Sequence, residues 1–215
     1  VLGERTPDFV YDHMDNAVSR IRGGFGGSVD DNRCWGDRDK HEILSLAHKV
    51  LQPKLYLEIG VAQGHSLARA IGPAIGVEPR KQSIAVSLRA SVKVIHKNSD
   101  AFFRECSHKL LDQPPELIFI DGMHLFEYAL RDFINVEKYA SPYGLVVIDD
   151  IFPCSPLQAS RDRHSDAWTG DVWKLRAILK ENRKDLILIS LNSYSSGLLL
   201  VAGLDSANSI LAERY

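Results

Sequence analysis

The sequence predicts a doubly wound α/β domain: a seven-stranded sheet of five parallel strands and a reversed terminal hairpin, with helices on both faces. Three observations predict it. Seven short apolar runs recur from Leu55 onward. Segments long enough for crossover helices separate the first five. The last two are joined by a turn alone, which forces them antiparallel.

The runs are Leu55–Ile59, Ala74–Val77, Val92–His96, Glu116–Ile120, Leu145–Ile148, Leu186–Leu191 and Leu198–Val201. Several are apolar at consecutive positions, the mark of parallel strands buried on both faces. His65–Ile71, Lys81–Ser91, Ala101–Leu111 and Leu125–Tyr139 are the expected crossover helices. Asn192–Gly197 is too short for one and reads as a hairpin turn. Upstream, Asp12–Ile21 and Lys40–Leu51 read as helices. Between them Gly23–Asn32 carries four glycines in five positions, too costly in backbone entropy for a regular element. It reads as a linker or a lid over a ligand. The chain therefore divides into a helical, Gly-rich N-terminal cap, residues 1–52, and a catalytic-type domain, residues 53–215.

Composition narrows the function classes. The 215 residues carry 26 Lys plus Arg and 28 Asp plus Glu, a formal net charge of −2, which argues against a nucleic-acid partner. Apolar residues at 45% and charged residues at 25% describe an ordinary globular chain. Cys34, Cys106 and Cys154 are scattered and odd in number, so no disulfide framework or zinc knuckle is expected. A reducing, cytoplasmic compartment follows. Charged residues recur from Glu4 to Arg22, so no secretory leader is expected there, and no apolar run approaches the about 18 residues of a membrane span.

Chemistry gathers at the carboxyl ends of the strands. After the first strand comes Glu58-Ile-Gly60-Val-Ala-Gln-Gly64-His-Ser66, a two-glycine turn of the kind that brings backbone N–H groups to a polar or anionic ligand. Glu78 ends the second strand, where an acid accepts both hydroxyls of a ribose. Together they indicate a nucleoside cofactor. Asp121 ends the fourth strand, and Asp149 and Asp150 end the fifth. Neighbouring parallel strands bring these three carboxylates to one rim, where a divalent cation would relieve their repulsion. Oxygen donors favour Mg²⁺, Ca²⁺ or Mn²⁺. His124 lies three residues beyond Asp121 and is the candidate general base. Trp168, Asp171, Trp173 and Lys174 are suited to an acceptor pocket, or alternatively to core packing and a helix N-terminus.

These residues resemble the class I S-adenosylmethionine-dependent methyltransferases, specifically the metal-dependent O-methyltransferases of the catechol type. The resemblance runs from Pro53 to Leu204 and implies a Rossmann-like sheet whose seventh strand is reversed. It implies S-adenosylmethionine contacts for Glu58, Gly60, Gly64, Ser66, Glu78, Ser99, Asp100 and Asp121, and Mg²⁺ ligation by Asp121, Asp149 and Asp150. The catechol enzymes usually carry Asn at the last of these positions. The Asp pair is closer to bacterial sugar O-methyltransferases and their cephalosporin-hydroxylase-like relatives. His124 stands where the catechol enzymes have a basic lysine, and with Asp121 it is the catalytic candidate. The implied partner is a small-molecule hydroxyl acceptor, such as a sugar, glycolipid, polysaccharide or secondary metabolite. Self-association into a homo-oligomer is compatible with this reading. A short-chain NAD-dependent oxidoreductase would share Gly60, Gly64 and Glu78, yet no tyrosine here has Lys four residues later. A catalytically silent binding module is the remaining alternative.

Overall fold

The computed structural model describes residues 36–81, 83–164 and 167–215. The expected helix Asp12–Ile21, the glycine segment Gly23–Asn32 and most of the N-terminal cap lie outside the described residues.

Seven strands form one sheet: β1 Tyr56–Ile59, β2 Ala74–Val77, β3 Val92–Ile95, β4 Leu117–Ile120, β5 Leu145–Ile148, β6 Ile187–Leu191 and β7 Leu198–Ala202. Their order is β3-β2-β1-β4-β5-β7-β6. β1 to β5 pair in parallel, and β7 is antiparallel to both β5 and β6. This is the predicted architecture, reversed hairpin included. Burial follows from position in the sheet. β1, β2 and β4 are buried at every residue, whereas the edge strands β3 and β6 are half-open.

One face is covered by α2 (Ser99–Glu105), α4 (Phe126–Tyr139), α5 (Lys174–Asn182) and α6 (Ile210–Arg214), with the four-residue α3 (Ser107–Leu110) following α2. Phe102, Phe133, Leu175 and Leu179 sit in that core beside Leu57, Ile118 and Ile148. The opposite face is covered more thinly. There α1 (Lys40–Leu51) packs Leu44 against Tyr56, Phe119 and Val147. Asp39 caps α1 by accepting the Glu42 N–H at 2.9 Å, and Gln52 ends it in the left-handed region at φ 46.

Two expected crossover helices on this second face take other forms. His65–Ile71 contracts to a single 3₁₀ turn, Leu67–Arg69, because Gly72-Pro73 ends the segment after little more than one turn. The stretch from Lys81 to Ser91 has no helix among its described residues. Its apolar residues Ile84, Val86 and Leu88 alternate with exposed ones, which is an extended period rather than a helical one. This strap lies over the glycine turn: Ala85 N–H donates to the Gln63 carbonyl at 2.9 Å. No helix among the described residues is long and apolar enough to cross a membrane.

Candidate functional site

The strand ends bring the predicted rim together. Gly60 leaves β1 at φ +88, where an L side chain is strained, and a Cβ there would lie 1.9 Å from the Asp121 carbonyl oxygen. The first glycine is therefore what allows the β1 turn to meet the end of β4. Glu78 reaches the same turn from β2. Its carboxylate accepts the Ala62 N–H at 2.8 Å and the Arg80 N–H and Nε–H, each at 3.0 Å. Glu58 lies wholly buried beneath the turn and accepts hydrogen bonds from the hydroxyls of Tyr56 (2.6 Å) and Ser66 (2.5 Å). Burial raises its pKa to about 8, against the lowering effect of those two bonds. Glu58 and Ser66 thus brace the turn from inside. Ser99 and Asp100 start α2; Asp100 pairs with Arg131 at 2.7 Å, and Ser99 hydrogen-bonds the buried Asp132. Burial raises Asp132 to about 7.

Beside this turn, Asp121, Asp149 and Asp150 converge with two cationic side chains. His124 Nε2 lies 3.4 Å from Asp121 Oδ1, and its Nδ1 lies 2.9 Å from Asp150 Oδ2. Lys40, from the first turn of α1, places Nζ 2.7 Å from Asp121 Oδ2 and 2.5 Å from Asp149 Oδ2. Asp149 Oδ1 also accepts the Ser196 hydroxyl (2.8 Å) and the Asp150 N–H (2.9 Å). Burial alone would lower the His124 pKa, but Asp150 and Asp121 outweigh it and raise it to about 11. Lys40 is raised in the same way by Asp121 and Asp149 despite its burial. Asp121, between the two cations, is held below the usual carboxylate range although burial opposes this. Burial, with repulsion from Asp121 and Asp150, raises Asp149 to about 7, and Asp150 is raised chiefly by burial. Three carboxylates against two cations leave one uncompensated negative charge, so the cluster has room for one further proton.

The backbone is strained where the chemistry gathers. Ala62, His124 and Asp150 adopt φ of 46, 57 and 67, in a region that disfavours L residues. Compensation comes from the segment before α5. Trp168 stacks on the His124 ring (centroids 5.4 Å apart, planes 11° apart), and its carbonyl lies 2.7 Å from His124 Nδ1. Gly170, at φ +58, lets this segment touch the His124 backbone: a Cβ would lie 1.6 Å from the His124 carbonyl oxygen. Asp171 Oδ1 accepts the Phe126 N–H at 2.7 Å and so caps α4, while Oδ2 meets Arg161 and Lys174. Trp168 and Asp171 therefore build the site by holding His124, and Trp173 has its indole N–H buried without a partner among the described residues.

Reading the sequence found the rim acids, the glycine turn and His124, and missed Lys40 and Ser196. For Lys40 a signal was present: a lysine in the first turn of a helix opposes the helix dipole.

Asp121, His124 and Asp150 each offer one ligand atom, all within 4.8 Å of one another, a donor set that fits a divalent cation. Asp149 is engaged instead with Lys40, Ser196 and the backbone.

Residues 57–151 match the family described as a methyltransferase domain. A curated relative, the uncharacterized protein R132 of Acanthamoeba polyphaga mimivirus, is 28% identical over 130 residues. The match covers 51% of this chain and 58% of that relative, so the chain spans less than two thirds of the relative's length. Among solved structures, an SAH-bound methyltransferase of Podospora anserina superimposes with a TM-score of 0.56 at 21% identity, over 92% of this chain and 88% of its own. An O-methyltransferase from Bacillus cereus in complex with SAH gives 0.57 at 14% identity, over 93% and 92%. The O-methyltransferase TomG from Streptomyces achromogenes, in complex with SAM, gives 0.55 at 18% identity, over 94% and 92%. Residues 57–151, which hold the glycine turn and the rim acids, are thus similar to a methyltransferase domain, and the chain shares its fold with these solved methyltransferases.

Proposed function

We propose that the chain transfers a methyl group from S-adenosylmethionine to a hydroxyl group of a small molecule. The carrying observation is the His124-centred cluster on the strand ends beside the glycine turn and Glu78. The carboxylates and imidazole of that cluster can hold charge and relay a proton.

Bound in the cleft, the cofactor supplies an electrophilic methyl group on a sulfonium. Glu78 faces the ribose, the Gly60–Gly64 turn gives close backbone approach, and Ser99 and Asp100 line the adenine side. Glu58 and Ser66 keep the turn rigid from below, and Asp121 joins the cofactor pocket to the acceptor side. The acceptor hydroxyl meets His124, whose side chain is 28% exposed against 2% for Asp149 and 7% for Asp150. Trp168 and Asp150 fix the ring, so Nε2 is the end offered to the acceptor. His124, charged in this setting, must hand a proton to Asp121 or Asp150 before its ring can take the hydroxyl proton, so the proton is finally stored on the carboxylates against their surplus negative charge. In-line displacement needs the two reactants held in register, and this rim does so with little reorganisation.

A divalent cation, Mg²⁺ by donor type, would be held by Asp121 and Asp150, and by His124 only once that ring has lost its proton. It would lower the pKa of a bound hydroxyl. The N-terminal cap, residues 1–52, selects the acceptor. The free thiol of Cys106 fits a cytoplasmic setting.

Calorimetric titration with S-adenosylhomocysteine tests the class: binding is expected, and no heat from folded protein would end the proposal. Labelled S-adenosylmethionine with a panel of catechols and sugars then tests the acceptor type. His124→Gln is expected to lower turnover about 100-fold or more while leaving cofactor affinity intact. Turnover within threefold of wild type would remove His124 from proton transfer.

A further inference from the structure

We propose that Lys40 is the resident cation of the Asp121–Asp149 pair, occupying the place where a divalent metal would bridge these two carboxylates. This builds on the reading of the rim as an acceptor site for its catalytic meaning, but it concerns the carboxylate pair alone.

Geometry carries it. A metal bridging two carboxylate oxygens sits about 2.0–2.6 Å from each. Lys40 Nζ lies 2.7 Å from Asp121 Oδ2 and 2.5 Å from Asp149 Oδ2, so ammonium and ion compete for one position. The remaining Asp149 oxygen already accepts from Ser196 and the Asp150 N–H, so an ion would have to compete with Lys40 for Oδ2.

The lysine is delivered by a built device. Its backbone N–H donates to the Tyr194 carbonyl at 3.2 Å, and the Tyr194 N–H donates to the Arg38 carbonyl at 2.8 Å. Residues 38–40 are thus pinned to the turn between β6 and β7. Gly36 allows the approach, since a Cβ there would lie 1.8 Å from the Asn192 carbonyl oxygen. The same turn carries Ser196, so one turn fixes both partners of Asp149. The placement also runs against local preference. A cation in the first turn of a helix faces the positive end of the dipole, and a buried ammonium is costly unless paired. The carboxylate pair supplies that compensation, and the ring of Phe119 lies 5.9 Å from the ammonium.

Lys40 is therefore a positioning residue. It holds Asp121 Oδ2 toward Asp149 and leaves Oδ1 facing His124. Any metal is confined to the Asp121–His124–Asp150 side, and Asp149 is not one of its ligands.

Mn²⁺ titration followed by electron paramagnetic resonance tests this on wild type, Lys40→Met, Asp149→Asn and the double variant. Wild-type uptake, at whatever level, is expected to be unchanged by Asp149→Asn. Lys40→Met is expected to raise Mn²⁺ affinity at least tenfold, and the double variant to lose that gain. Wild-type binding that falls tenfold in Asp149→Asn, or no gain in Lys40→Met, would overturn the proposal. Should the variants fail to fold, reductive methylation of wild-type lysines read by mass spectrometry decides it. Lys40 is expected to stay protected with and without millimolar Mg²⁺; exposure by Mg²⁺ would show the metal displacing it. Calorimetry with S-adenosylhomocysteine on the same samples reports the methyltransferase reading separately.

Discussion

Replacing Arg183 should destabilise the fold more than any surface ion pair would. Its side chain is fully buried, and two of its nitrogens bond both oxygens of Glu137 on α4, at 2.6 and 2.8 Å. Glu137 is itself nearly inaccessible, and it also accepts the Asp205 N–H at 3.2 Å. Asp185 completes the arrangement from a half-exposed position, at 2.7 Å. Arg183→Met removes the cation and leaves the Glu137 carboxylate in the core without its charge partner. Stranding one member of a buried pair costs about 3–5 kcal/mol, whereas replacing both members with apolar residues is near neutral. Urea unfolding at pH 7 measures this. Arg183→Met should lose about 3–5 kcal/mol, and Arg183→Met with Glu137→Leu should recover most of it. A single-variant loss under about 1 kcal/mol would refute the reasoning, because it would mean that Glu137 finds water or neutralises at little cost.

His48 on α1 is buried against Tyr56, with ring centroids 4.6 Å apart and neither ring nitrogen partnered among the described residues. Burial lowers its pKa to about 4 from an unfolded value near 6.5. The folded state therefore binds fewer protons between pH 6.5 and 4, and stability falls as pH drops through that window. Urea midpoints of wild type and His48→Phe across it should differ in slope by up to one proton; parallel curves would show that His48 titrates normally. At the site, Gly60→Ala places a Cβ 1.9 Å from the Asp121 carbonyl oxygen and asks an alanine to hold φ +88. The backbone conformation alone costs about 1–2 kcal/mol. Calorimetry should show S-adenosylhomocysteine affinity reduced at least tenfold, with a lower melting temperature; wild-type affinity would mean the turn has slack that the geometry denies.

Local pattern carried much of this protein. Consecutive apolar runs mark strands buried on both faces, and all seven appear in the sheet within a residue or so of their expected ends. The short Asn192–Gly197 link dictated the reversed β7, because a few residues can only turn back. Glu58, Gly60, Glu78, Asp121, Asp149 and Asp150 were legible as a rim because parallel strands end on one side of a sheet. Where two patterns compete, reading by length failed. Lys81–Ser91 is long enough for a helix, but its apolar residues alternate, and the glycine turn beneath favours an extended strap.

The sequence by itself thus determined the sheet, its reversed hairpin and which acids share a rim, since each follows from periodicity and chain direction over a few residues. Only the tertiary structure decided what faces those acids. Lys40 meets Asp121 and Asp149 across 81 and 109 residues, Asp171 caps a helix 45 residues upstream, and Trp168 stacks on His124. No local pattern encodes such meetings. They exist because the packed core closes those distances, and because a buried charge or open helix end is too costly to leave without a partner.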